Sequence, residues 1–235
     1  MSRFFSFLFL ICGIAVQALG AGFEVPALTG PIVDQVGIFS ATEKNQLGQL
    51  LQQFNQSGQA QVQILVVDSL QGEPIEMASI KVTDQWKLGD AKKDNGVLLL
   101  VALGDRKLRI EVGQGLEGEL TDLKSSRIIR DVMVPLLKSG KSSKAVAAGI
   151  YEIFKILNPD FLSQHEDFKP VKKSKSSVWL ILGLLLFVVL FGRRGPGGRY
   201  YGGGGGGFGG GFGGGGGGWS GGGGGFSGGG SSGSW

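Results

Sequence analysis

The sequence predicts an α/β domain with a short mixed sheet, followed by one C-terminal transmembrane helix and a disordered glycine-rich tail. After a first helix, strand and helix patterns follow in the order β-α-β-β-α-α up to residue 158, which favours a single α/β domain. Fourteen apolar residues, 178–191, then lie between basic flanks. The chain from residue 195 onward is two-thirds glycine, and such a segment cannot offset its ordering entropy by burying apolar surface.

Residues 1–21 are predicted to be a signal peptide. Arg3 precedes an apolar run that extends to Val16, and Ala18 or Ala21 offers a small residue for cleavage. The alternative is an uncleaved membrane anchor. The one cysteine, Cys12, lies inside this run, so the mature chain is expected to lack disulfides, thiolate nucleophiles and thiolate metal ligands.

Each element of the domain, residues 25–158, follows from a local signal. Ser40 and Glu43 match a capping box, which begins a helix that continues to about Gln56. The remaining elements are a strand at 62–67, a helix at 74–86, strands at 97–103 and 107–112, a helix at 122–134 that stops at Pro135, and a helix at 143–157 that stops before Pro159.

The two central strands form a predicted hairpin around Gly104-Asp105. The first is apolar throughout, which suits a strand buried on both faces. The second alternates, placing Lys107, Arg109 and Glu111 on one face, which is expected to be exposed to water.

Carboxylates are concentrated around this hairpin. Six occur in 29 residues, namely Asp94, Asp105, Glu111, Glu117, Glu119 and Asp122. Carboxylate and carbonyl oxygens from loops suit hard cations such as Ca²⁺ or Mg²⁺. The alternative is that these acids are ordinary solvated turn residues.

Several kinds of chemistry are disfavoured. His165 is the only histidine and is expected in a solvated linker, so histidine-based catalysis and zinc sites with nitrogen and sulfur ligands are not available. Gly113, Gly115 and Gly118 have the spacing of a dinucleotide fingerprint, but a second helix rather than a strand follows, and Glu117 would repel a pyrophosphate. No nucleotide cofactor is expected.

The charge distribution indicates a membrane rather than a nucleic acid. Residues 22–160 carry 15 Lys and Arg against 17 Asp and Glu, a net charge of −2, whereas the remainder carries +6. Those basic residues flank apolar segments, and no arginine lies beyond Arg199, so no nucleic-acid partner is expected.

The chain after the domain is predicted to be a membrane anchor. Residues 159–177 are expected to be a basic linker, 178–192 a transmembrane helix near the lower length limit, and 193–235 a disordered tail. Because a signal peptide precedes the domain, the domain is expected outside the cytoplasm and the tail inside it. The alternative for the tail is weak self-association through its aromatic residues.

Several motifs together resemble the TPM domain family. They are Val33-Asp34-x-x-Gly37, Asp94-Asn95-Gly96-Val97-Leu98-Leu99-Leu100, Asp105-Arg106 with Arg109-Ile110-Glu111, and Gly113-x-Gly115-Leu116-Glu117-Gly118-x-Leu120-Thr121-Asp122. The family includes thylakoid-lumen proteins of photosystem II repair and bacterial membrane proteins with a signal peptide, a late membrane span and a glycine-rich tail.

The resemblance implies an α/β/α sandwich that holds divalent cations on its loops. Asp34, Asp94, Glu117 and Asp122 occupy the family's acidic motif positions and are the candidate ligands for Ca²⁺ or Mg²⁺. It also implies weak acid phosphatase activity, which is a property of some plant members of the family. We expect the loops of Asp34, Asp94 and Glu117–Asp122 to converge at one end of the sheet.

Two functions are consistent with these observations. The first is an exported, membrane-anchored scaffold or interaction module in membrane-protein assembly or quality control, with a membrane-protein partner. The alternative is a metal-dependent phosphatase, in which Arg106 or Arg127 pairs with phosphate oxygens.

Overall fold

The computed structural model describes residues 22–165 and 222–235, which belong to one compact unit. The predicted signal peptide, most of the linker, the apolar segment 178–192 and most of the tail lie outside these residues. In the described part of the chain, no helix combines the length and the hydropathy needed to cross a bilayer.

Five strands form one mixed sheet, which confirms the α/β prediction. In spatial order they are β1 (Ile32–Asp34), β2 (Gln61–Val67), β3 (Gly96–Ala102), β4 (Lys107–Gly113) and β5 (Phe226–Ser234). The first three are parallel, and β4 is antiparallel to both β3 and β5. The predicted hairpin is therefore the β3–β4 pair at the centre of the chain.

The helices are α1 (Ala41–Gln56), α2 (Ile75–Trp86), α3 (Asp122–Arg127), α4 (Val134–Lys138), α5 (Ser142–Leu157) and α6 (Pro159–Gln164). The predicted capping box begins α1: the Ser40 hydroxyl accepts from the Glu43 backbone N–H, and the Glu43 carboxylate accepts from the Ser40 N–H at 2.9 Å. These local signals therefore position α1 as the sequence predicted.

Apolar side chains cover both faces of the sheet. One face packs against α1 and α5 through side chains such as Phe54 and Phe154, whose rings stack at 4.0 Å. The other face packs against α2 through Ala78, Val82 and Trp86. Helices therefore lie on both sides of the sheet, as a three-layer arrangement requires.

The helix after the acidic loop does not stop at Pro135, contrary to the prediction. A π-helical segment, Ile128–Met133, joins α3 to α4, and Pro135 lies in the first turn of α4. The wider π turn changes the hydrogen-bond spacing just before the proline, which then occupies a position where its missing N–H is tolerated. Helical structure therefore continues to Lys138.

Two short segments also differ from prediction. The lead-in 22–39, to which the sequence assigned no element, contains β1, whose three residues are too few for a readable alternation. The predicted linker begins as α6, and His165 stacks on Phe161 at 4.2 Å instead of lying free in solvent.

The last residues of the tail are ordered, which corrects the prediction of disorder for 222–235. β5 pairs with β4 from Lys107↔Ser234 to Val112↔Gly229. Backbone hydrogen bonds to β4 offset the entropic cost of ordering this segment, which its glycine-rich side chains cannot offset by burial.

Candidate functional site at the β4 edge

The polar face of β4 forms a buried cluster. The predicted alternation is confirmed, because Leu108 and Ile110 face the α1–α5 core while Arg109 and Glu111 face α2. The predicted exposure of that second face holds for Lys107 but is wrong for the other two residues: Arg109 is 5% exposed and Glu111 is 0% exposed. The covering elements are α2 and β5, and the sequence did not place either against this face.

An ion pair organises this cluster. Arg109 Nε lies 2.5 Å from Glu111 Oε2 and 3.0 Å from the Ser79 hydroxyl, and that hydroxyl donates to the same carboxylate oxygen at 2.7 Å. The other oxygen, Glu111 Oε1, is buried without a hydrogen-bond partner among the described residues. The pair is thus desolvated and incompletely satisfied, so its integrity matters to stability.

Burial raises the pKa of Glu111, while the hydrogen bonds from Arg109 and Ser79 oppose that rise. The folded state therefore holds the Glu111 proton more tightly than the unfolded chain does. Its contribution to stability is fully present below about pH 4.3, the pKa of a free glutamate, and is lost as the pH rises through the folded value.

We expect Glu111→Gln to remove this pH dependence, because the amide does not titrate. Urea unfolding of both proteins between pH 4 and 8 measures the difference in their free energies of unfolding. The variant should become more stable relative to the unsubstituted protein as the pH rises. A difference in stability that does not change with pH would contradict the raised pKa of Glu111. Exposed Glu119, changed to Gln, is the matched control.

A row of carboxylates borders the same edge and accepts hydrogen bonds from β5 and the residue before it. The four bonds are Gly225 N–H to Asp94 Oδ1 at 2.6 Å, Ser227 O–H to Glu117 Oε1 at 2.5 Å, Gly230 N–H to Asp122 Oδ1 at 2.7 Å, and Ser232 O–H to Glu76 Oε1 at 2.6 Å. The bond from Ser232 is the main cause that lowers the pKa of Glu76. Three of the four predicted site residues thus contact one extended segment.

Close backbone packing holds Asp94 at this edge. Its φ of 48° is left-handed, and its carbonyl accepts from the Gly115 N–H at 3.1 Å. A Cβ at Gly113 or Gly115 would overlap the carbonyl oxygens of Asp94 and Lys93 respectively. The predicted proximity of the Asp94 loop to the Glu117 loop is therefore confirmed.

Asp34 does not belong to this site, which corrects the expected convergence. It pairs in register with Val66, which pairs with Val101 near the end of β3, whereas Asp94 precedes the start of β3. Its carboxylate accepts from the N–H groups of Gly37 at 2.8 Å and Phe39 at 3.1 Å. Asp34 therefore caps the turn that follows β1, at the opposite end of the sheet.

The arrangement does not form a metal cage. Within residues 22–165 and 222–235, no three Asp, Glu, His or Cys side chains gather closely enough to hold an ion. The carboxylate oxygens of Asp94, Glu117 and Asp122 are of the type that binds a hard cation. However, each carboxylate contacts a different residue between 225 and 230, so the three are spread along the edge. With the strand docked, the acids act as hydrogen-bond acceptors.

The sequence profile of the TPM domain matches residues 32–156, more than half of the chain. The chain belongs to the TPM domain family. The match includes β1 to β4 and the helices up to α5, so the carboxylates Asp94, Glu117 and Asp122 lie within the TPM domain. A search of the curated proteins finds no match.

Solved structures are similar to this TPM domain. The N-terminal domain of a protein from P. gingivalis, determined by solution NMR, is 30% identical with a TM-score of 0.54, covering 58% of this chain and 90% of that one. The N-terminal domain of cg2496 from Corynebacterium glutamicum is 14% identical, with a TM-score of 0.45 over 57% of this chain and 88% of that one. BA42 from Bizionia argentinensis is 17% identical, with a TM-score of 0.43 over 57% and 86% respectively.

The sequence interpretation missed three residues of the TPM domain edge. Glu76 and Ser79 lie one helical turn apart on α2, and Arg109 was assigned to an exposed face. One signal was available: Arg109 and Glu111 share a face of β4, so any element that covers that face must satisfy both charges. The serines of the tail, Ser227 and Ser232, were a second signal, because they interrupt the glycine run.

Proposed function

We propose that this TPM domain is an exported, membrane-anchored interaction module that binds an extended polypeptide at its β4 edge. One observation carries the proposal: carboxylates from two separate loops, Asp94 in one and Glu117 and Asp122 in the other, all accept hydrogen bonds from one extended segment, residues 225–230. Adding a strand to an exposed edge is a common mode of peptide recognition, in which backbone bonds give affinity and side chains give specificity.

The composition of the domain supports binding rather than turnover. The part of the domain that the structure describes contains no cysteine, and its one histidine, His165, is held by the Phe161 carbonyl at 2.8 Å and by Gln53 Oε1 at 2.8 Å. Among the described residues, neither a cysteine nor a histidine lies beside the acidic row. A scaffold in membrane-protein assembly or quality control accords with such a surface.

Export and anchoring belong to the same proposal. The signal-peptide pattern of 1–21 supports export, and the apolar segment 178–192 supports attachment to the membrane. This segment is shorter than the about 20 residues of a typical spanning helix, so attachment without crossing would leave residues 222–235 on the same side as the domain. The partner would then be a polypeptide presented at the membrane surface, in keeping with a membrane protein being assembled or inspected. Recovery of the domain in the cytoplasmic fraction of lysed spheroplasts would contradict this part of the proposal.

Divalent cation binding is the second part of the proposed function. Ca²⁺ or Mg²⁺ would bind Asp94, Glu117 and Asp122 when these carboxylates exchange the donors of the strand for an ion. Unneutralised acids along one edge repel one another, and a cation relieves that repulsion. Asp34 is not included, because its carboxylate caps a turn at the other end of the sheet.

We expect calcium to stabilise the protein through these side chains. Free calcium at a hundredfold excess over its dissociation constant should raise the free energy of unfolding by about 2.7 kcal/mol. Calorimetry of the full chain measures calcium binding, and thermal melting with calcium, magnesium or chelator measures the change in stability. The Glu117→Gln, Asp122→Asn double variant should lose the effect, and exposed Asp131→Asn is the control. Undiminished calcium binding by the double variant would refute the site.

The phosphatase alternative receives less support. Arg106, one of the two arginines proposed to hold a phosphate, lies in the β3–β4 turn, at the opposite end of these strands from Asp94. It cannot clamp a phosphate together with the acidic row. Chelator-sensitive hydrolysis of phosphate esters by the full chain, abolished in the Glu117→Gln, Asp122→Asn variant, would reverse this ranking.

A further inference from the structure

The surface against which β5 packs favours glycine at several positions of the strand. A Cβ at Gly230 would overlap the Ile110 carbonyl oxygen, one at Gly233 would overlap the Ile129 side chain, and one at Gly229 would overlap the Glu117 carboxylate. At the first of these positions the obstacle is backbone, which cannot move without breaking the sheet. A strand with an ordinary side chain at position 230 would therefore not fit, whereas at position 229 the Glu117 carboxylate would have to move aside.

The same surface also favours serine at two positions of the strand. Ser227 donates to Glu117 and Ser232 donates to Glu76, while the Arg109 guanidinium donates to the Ser232 hydroxyl at 3.0 Å and to the Gly228 carbonyl at 2.9 Å. Because Arg109 and Glu76 come from different elements, this surface exists only in the folded domain. It binds hydroxyl groups as well as the backbone of the strand.

Two aromatic residues fix the register at the ends of the strand. Phe226 packs against the apolar cluster on the α2 side of the sheet, and Trp235 packs against the cluster on the α1–α5 side. The segment between them consists only of glycine and serine. An aromatic contact at each end therefore sets which glycine meets each tight position.

We propose that the β4 edge, with Glu76, Asp94, Arg109, Glu117 and Asp122, is a docking groove specific for a glycine- and serine-rich strand. Its ligand is the segment 222–235 of the same molecule, which binds on the same side of any membrane as the domain. This rests on the proposed function and names the class of polypeptide that the edge takes. An external partner must then displace this internal strand, and tethering favours the internal strand through its effective concentration.

Disulfide trapping tests the groove within the full chain. In a Cys12→Ser background, Lys107→Cys and Ser234→Cys introduce thiols at directly paired, exposed positions. Oxidation of intact cells, followed by thiol blocking and non-reducing electrophoresis, should give an intramolecular disulfide in most of the protein. Lys107→Cys with Ser227→Cys places the second thiol out of register and should cross-link at least tenfold less.

Two further outcomes decide the proposal. Gly230→Val, added to the paired cysteines, should reduce the cross-link at least tenfold, whereas Gly209→Val, upstream of the strand, should leave it unchanged. Circular dichroism of both variants checks that the domain remains folded. Cross-linked dimers in place of the intramolecular product, or no cross-link in intact cells, would overturn docking within one molecule.

The test also separates this inference from the proposed function. Intramolecular cross-linking in a protein that binds no calcium would retain the groove and refute the cation part. Calcium binding that depends on Glu117 and Asp122, together with equal cross-linking of the paired and out-of-register cysteines, would refute the groove and retain the cation part.

Discussion

Arg109→Ala is expected to lower the free energy of unfolding by about 3 to 5 kcal/mol, because it leaves the Glu111 carboxylate buried without its ion-pair partner. Glu111 is 0% exposed, and its Oε1 already lacks a hydrogen-bond partner among the described residues. The change also removes the guanidinium contacts to Gly228 and Ser232, so β5 should dissociate first. Urea unfolding of the full chain measures the loss, and hydrogen exchange of the β4 amides measures the release of the strand.

A double variant distinguishes the cost of an unpaired charge from the net value of the pair. Arg109→Met with Glu111→Leu replaces the charges with apolar groups, so most of the lost stability should return. Arg130→Ala is the control, because it breaks an exposed ion pair with Asp131 and should change stability little. If the double variant is as unstable as Arg109→Ala, the buried charge is not the cause of the loss.

Gly115→Ala is expected to have the second-largest effect. A Cβ at this position would overlap the Lys93 carbonyl oxygen, so the loops on either side must separate. Overpacking of this kind costs about 1 to 3 kcal/mol. The separation also moves Asp94 away from the Gly225 N–H, and the cross-link between Lys107→Cys and Ser234→Cys should weaken in this variant.

The matched control lies in the same loop. At Gly118, a Cβ meets no heavy atom within 4 Å, so Gly118→Ala should leave both the unfolding free energy and the cross-link nearly unchanged. Equal destabilisation by the two alanine substitutions would show that loop flexibility, rather than the contact with Lys93, determines the effect.

Local signals in the sequence determined much of the domain. The capping box of Ser40 and Glu43 begins α1 as predicted, and the apolar run and alternation of the central hairpin gave β3, β4 and their pairing. The proximity of the Asp94 and Glu117 loops also followed, because antiparallel pairing places the start of one strand beside the end of the next. The motifs around these residues indicated the TPM family.

Long-range contacts decided the rest. Alternation in β4 showed that Arg109 and Glu111 share a face, but only the packing of α2 and β5 made that face buried. Glycine composition argued for disorder in residues 222–235, since composition cannot reveal a distant edge that accepts only small residues. The position of Asp34 likewise depends on the parallel register of β1 with β2. Local propensity is encoded within a few residues, whereas burial, strand order and register depend on contacts between residues far apart in the chain.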